Sequence, residues 1–119
     1  MPEVNGRLST HVLDTHAGRP AAGVAVELFE YAGDRAHLIV RTATNADGRT
    51  EKPLVEREEL DHGTYTLVFH VHDYLRSTDA SCGPFFETIR IQFLVSHGNE
   101  NYHVPLLLSP YAYSTYRGS

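Results

Sequence analysis

Cysteine is nearly absent from this chain of 119 residues: Cys82 stands alone. One thiol cannot close an internal disulfide, which suits a reducing compartment and points to the cytoplasm. Cys82, between Ser81 and Gly83, also lacks a second thiol for redox work. No apolar run approaches the roughly 20 residues that a membrane-spanning helix needs. The opening Met1-Pro2-Glu3-Val4-Asn5-Gly6 has no basic segment leading into an apolar stretch, so no secretory signal is expected. Basic residues are outnumbered, 10 Lys and Arg against 15 Asp and Glu. The resulting charge of −5 argues against any general attraction to nucleic acid or anionic membrane.

What is present is the composition of one folded domain spanning residues 1–119. Hydrophobic residues make up 41% of the chain, enough for a small core and too many for disorder. No repeat, linker or low-complexity tract divides it. Protonating all eight histidines would carry the formal charge from −5 to +3. The sign of the molecule therefore depends on imidazole titration in the mildly acidic range.

Short strands separated by turns account for the pattern. Val24, Val26 and Leu28 alternate with Ala25, Glu27 and Phe29. Tyr65, Leu67, Phe69 and Val71 alternate with Thr66, Val68, His70 and His72, and Ile89, Ile91, Phe93 and Val95 with Arg90, Gln92 and Leu94. Period two is the signature of a half-buried strand. Leu38-Ile39-Val40 and Tyr102 to Leu108 are further candidates. Gly18-Arg19-Pro20, Asp47-Gly48, Asp61-His62-Gly63, Cys82-Gly83-Pro84 and His97-Gly98-Asn99 supply the turns. The sum is an all-β chain folded as an antiparallel β-sandwich. Asp73 to Asp79 reads as its short helix, and Glu56 to Leu60 as one helical turn. Pro105 removes a ladder donor, which assigns it to an edge or a bulge.

The residues suited to chemistry come from distant segments. His11 shares a strand face with Ser9 and Leu13, while Thr10 and Val12 point the other way; on residue type alone, a backbone-bonded histidine is the plainer reading. Arg49 follows the Asp47-Gly48 turn. It is either a solvated loop arginine or a fixed guanidinium that grips a planar ring and keeps a nearby histidine neutral. His103 interrupts an apolar strand, as an interface histidine or as a second imidazole of a site. The finish Tyr116-Arg117-Gly118-Ser119 sets a planar cation beside a residue with no Cβ, where another molecule can approach the backbone. Tyr111, Tyr113 and Tyr116 so near an end are expected to pack or to touch a ligand. No Gly-x-Ser-x-Gly elbow surrounds Ser119, so a positioning role suits it better than a nucleophilic one. His70 and His72 at i and i+2 could share a strand face, but no further ligand motif completes them and no metal is expected. Glu56, Glu58 and Glu59 read as a solvated acidic patch.

Leu8-Ser9-Thr10-His11-Val12-Leu13-Asp14, Gly18-Arg19-Pro20-Ala21, Thr44-Asn45-Ala46-Asp47-Gly48-Arg49, Tyr102-His103-Val104-Pro105-Leu106-Leu107-Leu108-Ser109-Pro110 and the Tyr-Arg-Gly-Ser tail together resemble the transthyretin-related proteins. Within them they are similar to the 5-hydroxyisourate hydrolase branch. The resemblance implies a transthyretin-like sandwich of two four-stranded sheets with one short helix. It implies a homotetramer with sites at subunit interfaces and 5-hydroxyisourate as the small-molecule substrate. It also implies catalytic roles for His11, Arg49, His103 and Ser119, and substrate contacts from His11, Arg49, Tyr116, Arg117 and Gly118. No cofactor is expected, since opening a cyclic amide requires only water, a base and stabilisation of the developing charge. The alternatives are a transthyretin-like carrier that binds a flat aromatic molecule without turnover, and a structural adhesion module. Neither gives a reason for polar groups at these positions.

Overall fold

The computed structural model describes residues 4–78 and 84–118. In chain order the strands are β1 Gly6–Ser9, β2 Val12–Asp14, β3 Arg19–Pro20, β4 Ala25–Ala32, β5 Arg35–Ala43, β6 Val55–Arg57, β7 Gly63–His70, β8 Thr88–Val95, β9 Asn101–His103, β10 Leu106–Leu108 and β11 Tyr113–Thr115. One helix, α1 His72–Ser77, lies between β7 and β8.

The period-two runs build the first sheet, ordered β5-β4-β7-β8 and antiparallel throughout. Its register stacks Val26 on Phe69 on Ile89, and Leu28 on Leu67 on Ile91, so these side chains share one face. All six are buried, and each contributes roughly 1.5–3 kcal/mol by leaving water. On the opposite face Glu27 is held by two neighbours. Its carboxylate accepts from His70 Nε2 at 2.5 Å and from Arg41 Nε at 3.0 Å. The His70 bond first, and then Arg41, hold the Glu27 pKa below the usual carboxylate range.

The second layer supplies the other half of the core through Leu8, Val12, Leu106 and Leu108. It consists of two short ladders, β6-β1-β9 and β11-β10-β2-β3. These are halves of the same strands. β1 leads into β2 through Thr10 and His11, and β9 into β10 through Val104 and Pro105. The join is bridged by bonds from Val104 N–H to the Ser9 carbonyl (2.9 Å) and from Leu106 N–H to the His11 carbonyl (2.8 Å). The layer is thus four strand positions wide. Its central pairs, β1 with β9 and β2 with β10, run parallel, whereas the flanking pairs are antiparallel. Pro105 sits at the break inside this layer. Its missing N–H falls where the ladder lapses, and its carbonyl accepts from Thr115 Oγ1 at 2.7 Å.

Three local expectations change. Residues 55–57 form strand β6 on β1 instead of a helical turn, because Val55 pairs with Leu8 and is buried. His70 and His72 do not share a strand face, since β7 ends at His70 and Val71 turns the chain into α1 with φ −96° and ψ −9°. The helix begins at His72, one residue before the expected start. Tyr74 ties it to the second layer by donating to Asp14 Oδ2 at 2.6 Å, and burial with this bond pushes the Tyr74 phenol up to about 12. Cys82 and Asp79 lie outside the described residues.

Candidate active site

Alternation along the second layer decides which groups face outward. Leu8, Thr10 and Val12 are buried, and Ser9, His11 and Leu13 between them are partly open. Across the parallel pair, Tyr102 and Val104 are buried while His103 is half-open. His11 and His103 therefore emerge on one outer face, with Ser9 directly opposite His103 in register.

The segment from Thr44 to Arg49 brings the guanidinium to the same face. Thr44, buried, accepts from Val24 N–H at 3.0 Å and donates to the Ala21 carbonyl at 2.7 Å, which anchors the loop. Asn45 Oδ1 accepts from the N–H groups of Asp47 (2.9 Å) and Arg49 (3.2 Å) and fixes the turn. Gly48 takes φ +75°, a conformation that side chains disfavour. It also lies so close to the Val12 carbonyl and the His11 ring that a Cβ would collide there. This tight seat puts the Asp47 carbonyl 2.8 Å from His11 Nε2 and lets Arg49 form a backbone bridge with His11. A carbonyl only accepts, so His11 Nε2 carries a proton, and Nδ1 has no hydrogen-bond partner among the described residues.

His103 is held differently. Its Nδ1 lies 2.9 Å from Ser9 Oγ. Its backbone pairs with Gly118, His103 N–H to the Gly118 carbonyl at 3.2 Å and Gly118 N–H to the His103 carbonyl at 2.6 Å. A Cβ on Gly118 would stand 3.2 Å from the His103 Cβ and Cδ2, so the tail backbone lies close beside the imidazole. Burial first, then the Arg49 charge, then His11, lower the His103 pKa below the ordinary histidine value. The ring is accordingly neutral at neutral pH and able to accept a proton.

His11, Arg49 and His103 thus come together from three segments. Of the tail, Gly118 joins them. Arg117 does not: its guanidinium stacks 4.2 Å above the Tyr102 ring and pairs with Glu100 at 3.1 Å, on the side of β9 away from His103. Tyr116, 58% exposed, lines a groove of about 460 Å³ with Ile91, Phe93 and Leu94 of β8. Ser119 lies outside the described residues. Sequence reasoning missed Ser9 as a partner of His103 and the two glycines as seats for the imidazoles. The signal for Ser9 was its place on the face of His11. Among the described residues no group of three or more His, Cys, Asp or Glu could hold a metal ion, and no helix is long and apolar enough to cross a membrane.

The two-layer β-sandwich, with a pair of histidines and an arginine on one outer face, is a transthyretin-like frame. The chain belongs to the HIUase/Transthyretin family, whose sequence model matches residues 8–118. It is 50% identical over 117 residues to 5-hydroxyisourate hydrolase 2 of Rhizobium meliloti, covering 97% of this chain and 98% of that protein. It is 49% identical over 113 residues to 5-hydroxyisourate hydrolase of Deinococcus radiodurans, covering 94% and 95%. Among solved structures, Klebsiella pneumoniae 5-hydroxyisourate hydrolase superposes with a TM-score of 0.74 at 31% identity, over 96% of this chain and 99% of that one. (S)-allantoin synthase superposes with a TM-score of 0.88 at 38% identity, over 99% of this chain, which spans 45% of that protein's length.

Proposed function

We propose that the protein hydrolyses 5-hydroxyisourate to 2-oxo-4-hydroxy-4-carboxy-5-ureidoimidazoline in urate degradation. The observation that carries this reading is the convergence of His11, Arg49 and a neutral His103 on one open face. Arg49 orients the planar ring through paired hydrogen bonds and repels protonation of His103. His103 takes a proton from water, and the hydroxide adds to the C6 carbonyl. The N1–C6 bond then breaks, and the proton held by the imidazole passes to the departing N1. His11, with Nε2 donating to Asp47, presents Nδ1 to substrate or water. Water, a base and a cation complete the chemistry without a cofactor.

The reading extends to assembly. The histidines sit on one outer sheet face, and Tyr116 and Arg117 line the groove beside β8. A homotetramer would close the face and let tail residues of one subunit approach the site of another, so Tyr116, Arg117 and Ser119 keep a proposed place in the pocket. The 119 residues act as one catalytic domain, and the single cysteine favours the cytoplasm. The carrier reading predicts a different response to the same ligand. Adding freshly generated 5-hydroxyisourate and following its ultraviolet decay separates them: a hydrolase accelerates the decay catalytically above the spontaneous rate, and a carrier leaves it at or below that rate.

A further inference from the structure

We propose that Ser9 is the positioning residue of His103: its hydroxyl oxygen accepts from Nδ1–H, fixes the imidazole in that tautomer and leaves the Nε2 lone pair as the atom that takes the proton. The inference rests on the hydrolase reading and assigns that site's base to one nitrogen. Three observations support it. Ser9 and His103 are direct partners in the parallel β1·β9 register, so the contact is set by the sheet and not by a mobile loop. The Oγ–Nδ1 separation of 2.9 Å is that of a good hydrogen bond. The ring also lies beside Gly118, where a Cβ would come within 3.2 Å of its Cδ2, so the tail backbone flanks the imidazole.

The hydroxyl can donate or accept, and the reaction cycle selects between the two. A histidine that gains a proton at Nε2 and later gives it up carries Nδ1–H in both states. Only an acceptor at Nδ1 keeps its bond through the whole cycle. His11 offers a contrast, because its Nε2 faces the Asp47 carbonyl and its free nitrogen is Nδ1. The two imidazoles thus present opposite nitrogens to the face they share.

Among the described residues, charged and titratable groups around His103 are few. Arg49, from the loop, and His11, from the neighbouring strand, act on it electrostatically. Arg7 on β1 is paired with Glu56, and Arg117 of the tail with Glu100. Replacing Ser9 by Ala removes an acceptor that stabilises the imidazolium, so the His103 pKa falls further and the acid limb of the rate profile moves to lower pH.

The test uses the full chain as wild type, Ser9→Ala and Ser9→Thr. Imidazole nitrogen NMR without substrate identifies the protonated nitrogen of neutral His103. Steady-state rates on 5-hydroxyisourate then give kcat, KM and the pH profile. The expected result is Nδ1–H in the wild type and a shift toward Nε2–H in Ser9→Ala. The alanine variant should lose about tenfold or more in kcat with KM within about twofold, and Ser9→Thr should restore both tautomer and rate. A wild-type His103 protonated at Nε2 overturns the proposal, as does a Ser9→Ala protein with unchanged tautomer and kcat. If the wild type fails to accelerate substrate decay, the hydrolase reading falls, and the NMR comparison still decides whether Ser9 holds the ring. Poor folding of Ser9→Ala leaves the wild-type tautomer and the threonine variant to decide.

Discussion

Arg49 has two separable properties, a charge that lowers the His103 pKa and a planar fork that can bind a ring edge. Arg49→Lys keeps the first and loses the second. We expect kcat/KM to fall by at least about tenfold, equivalent to about 1.4 kcal/mol of transition-state stabilisation, with the acid limb of the pH profile unmoved. Arg49→Gln removes the charge as well, so the His103 pKa rises and the limb moves to higher pH. A lysine variant with wild-type kcat/KM would show that charge alone suffices. In the wild type the rate should hold as pH falls to the ordinary histidine value and drop only below it, because burial, Arg49 and His11 all disfavour the imidazolium. A kcat/KM with no acid limb at any pH at which the fold stays intact would remove His103 and His11 as rate-controlling bases. At this scale the sequence reveals residue type and strand face, which is how His11 reads as a partner of Ser9 and Leu13. It does not reveal that Ser9 meets His103, because that contact depends on a parallel register 94 residues apart.

Elements carry these side chains with differing legibility. β4, β7 and β8 are evident in the sequence because each has one face in the core. β5 is not, apart from Leu38 to Val40, because it is a largely exposed edge with little alternation. β6 is hidden within an acidic stretch, and the division of the second layer depends on where Thr10 and Pro105 break the ladders. The tail is the element with the clearest consequence. Gly118 pairs with the backbone of His103 and packs on its ring, while the buried core is drawn from earlier residues. Deleting Arg117 to Ser119 should abolish turnover and leave the cooperative thermal transition in place. A C-terminal tag should impair the rate far more than the same tag before Met1. Equal rates for untagged, N-tagged and C-tagged proteins of matched stability would strike the tail from the site.

At the scale of the whole molecule, the open face bearing His11 and His103 and the exposed Tyr111, Tyr113 and Tyr116 account for the proposed tetramer. Such patches and free sheet edges favour association. Light scattering should report four copies, and activity per chain should fall on dilution to the monomer; a stable and fully active monomer would eliminate shared sites. The sequence offers the tetramer only as what the resemblance implies, because assembly depends on surfaces meeting and not on local pattern. The central claim is that this face opens 5-hydroxyisourate by imidazole-assisted attack of water. The most direct measurement follows the ultraviolet decay of freshly generated substrate in buffer, with the wild type and with His103→Ala of matched fold. The account predicts rapid catalytic decay with the wild type and, with the variant, a rate close to spontaneous decay. A wild type no faster than buffer, or a variant as fast as the wild type, would contradict it.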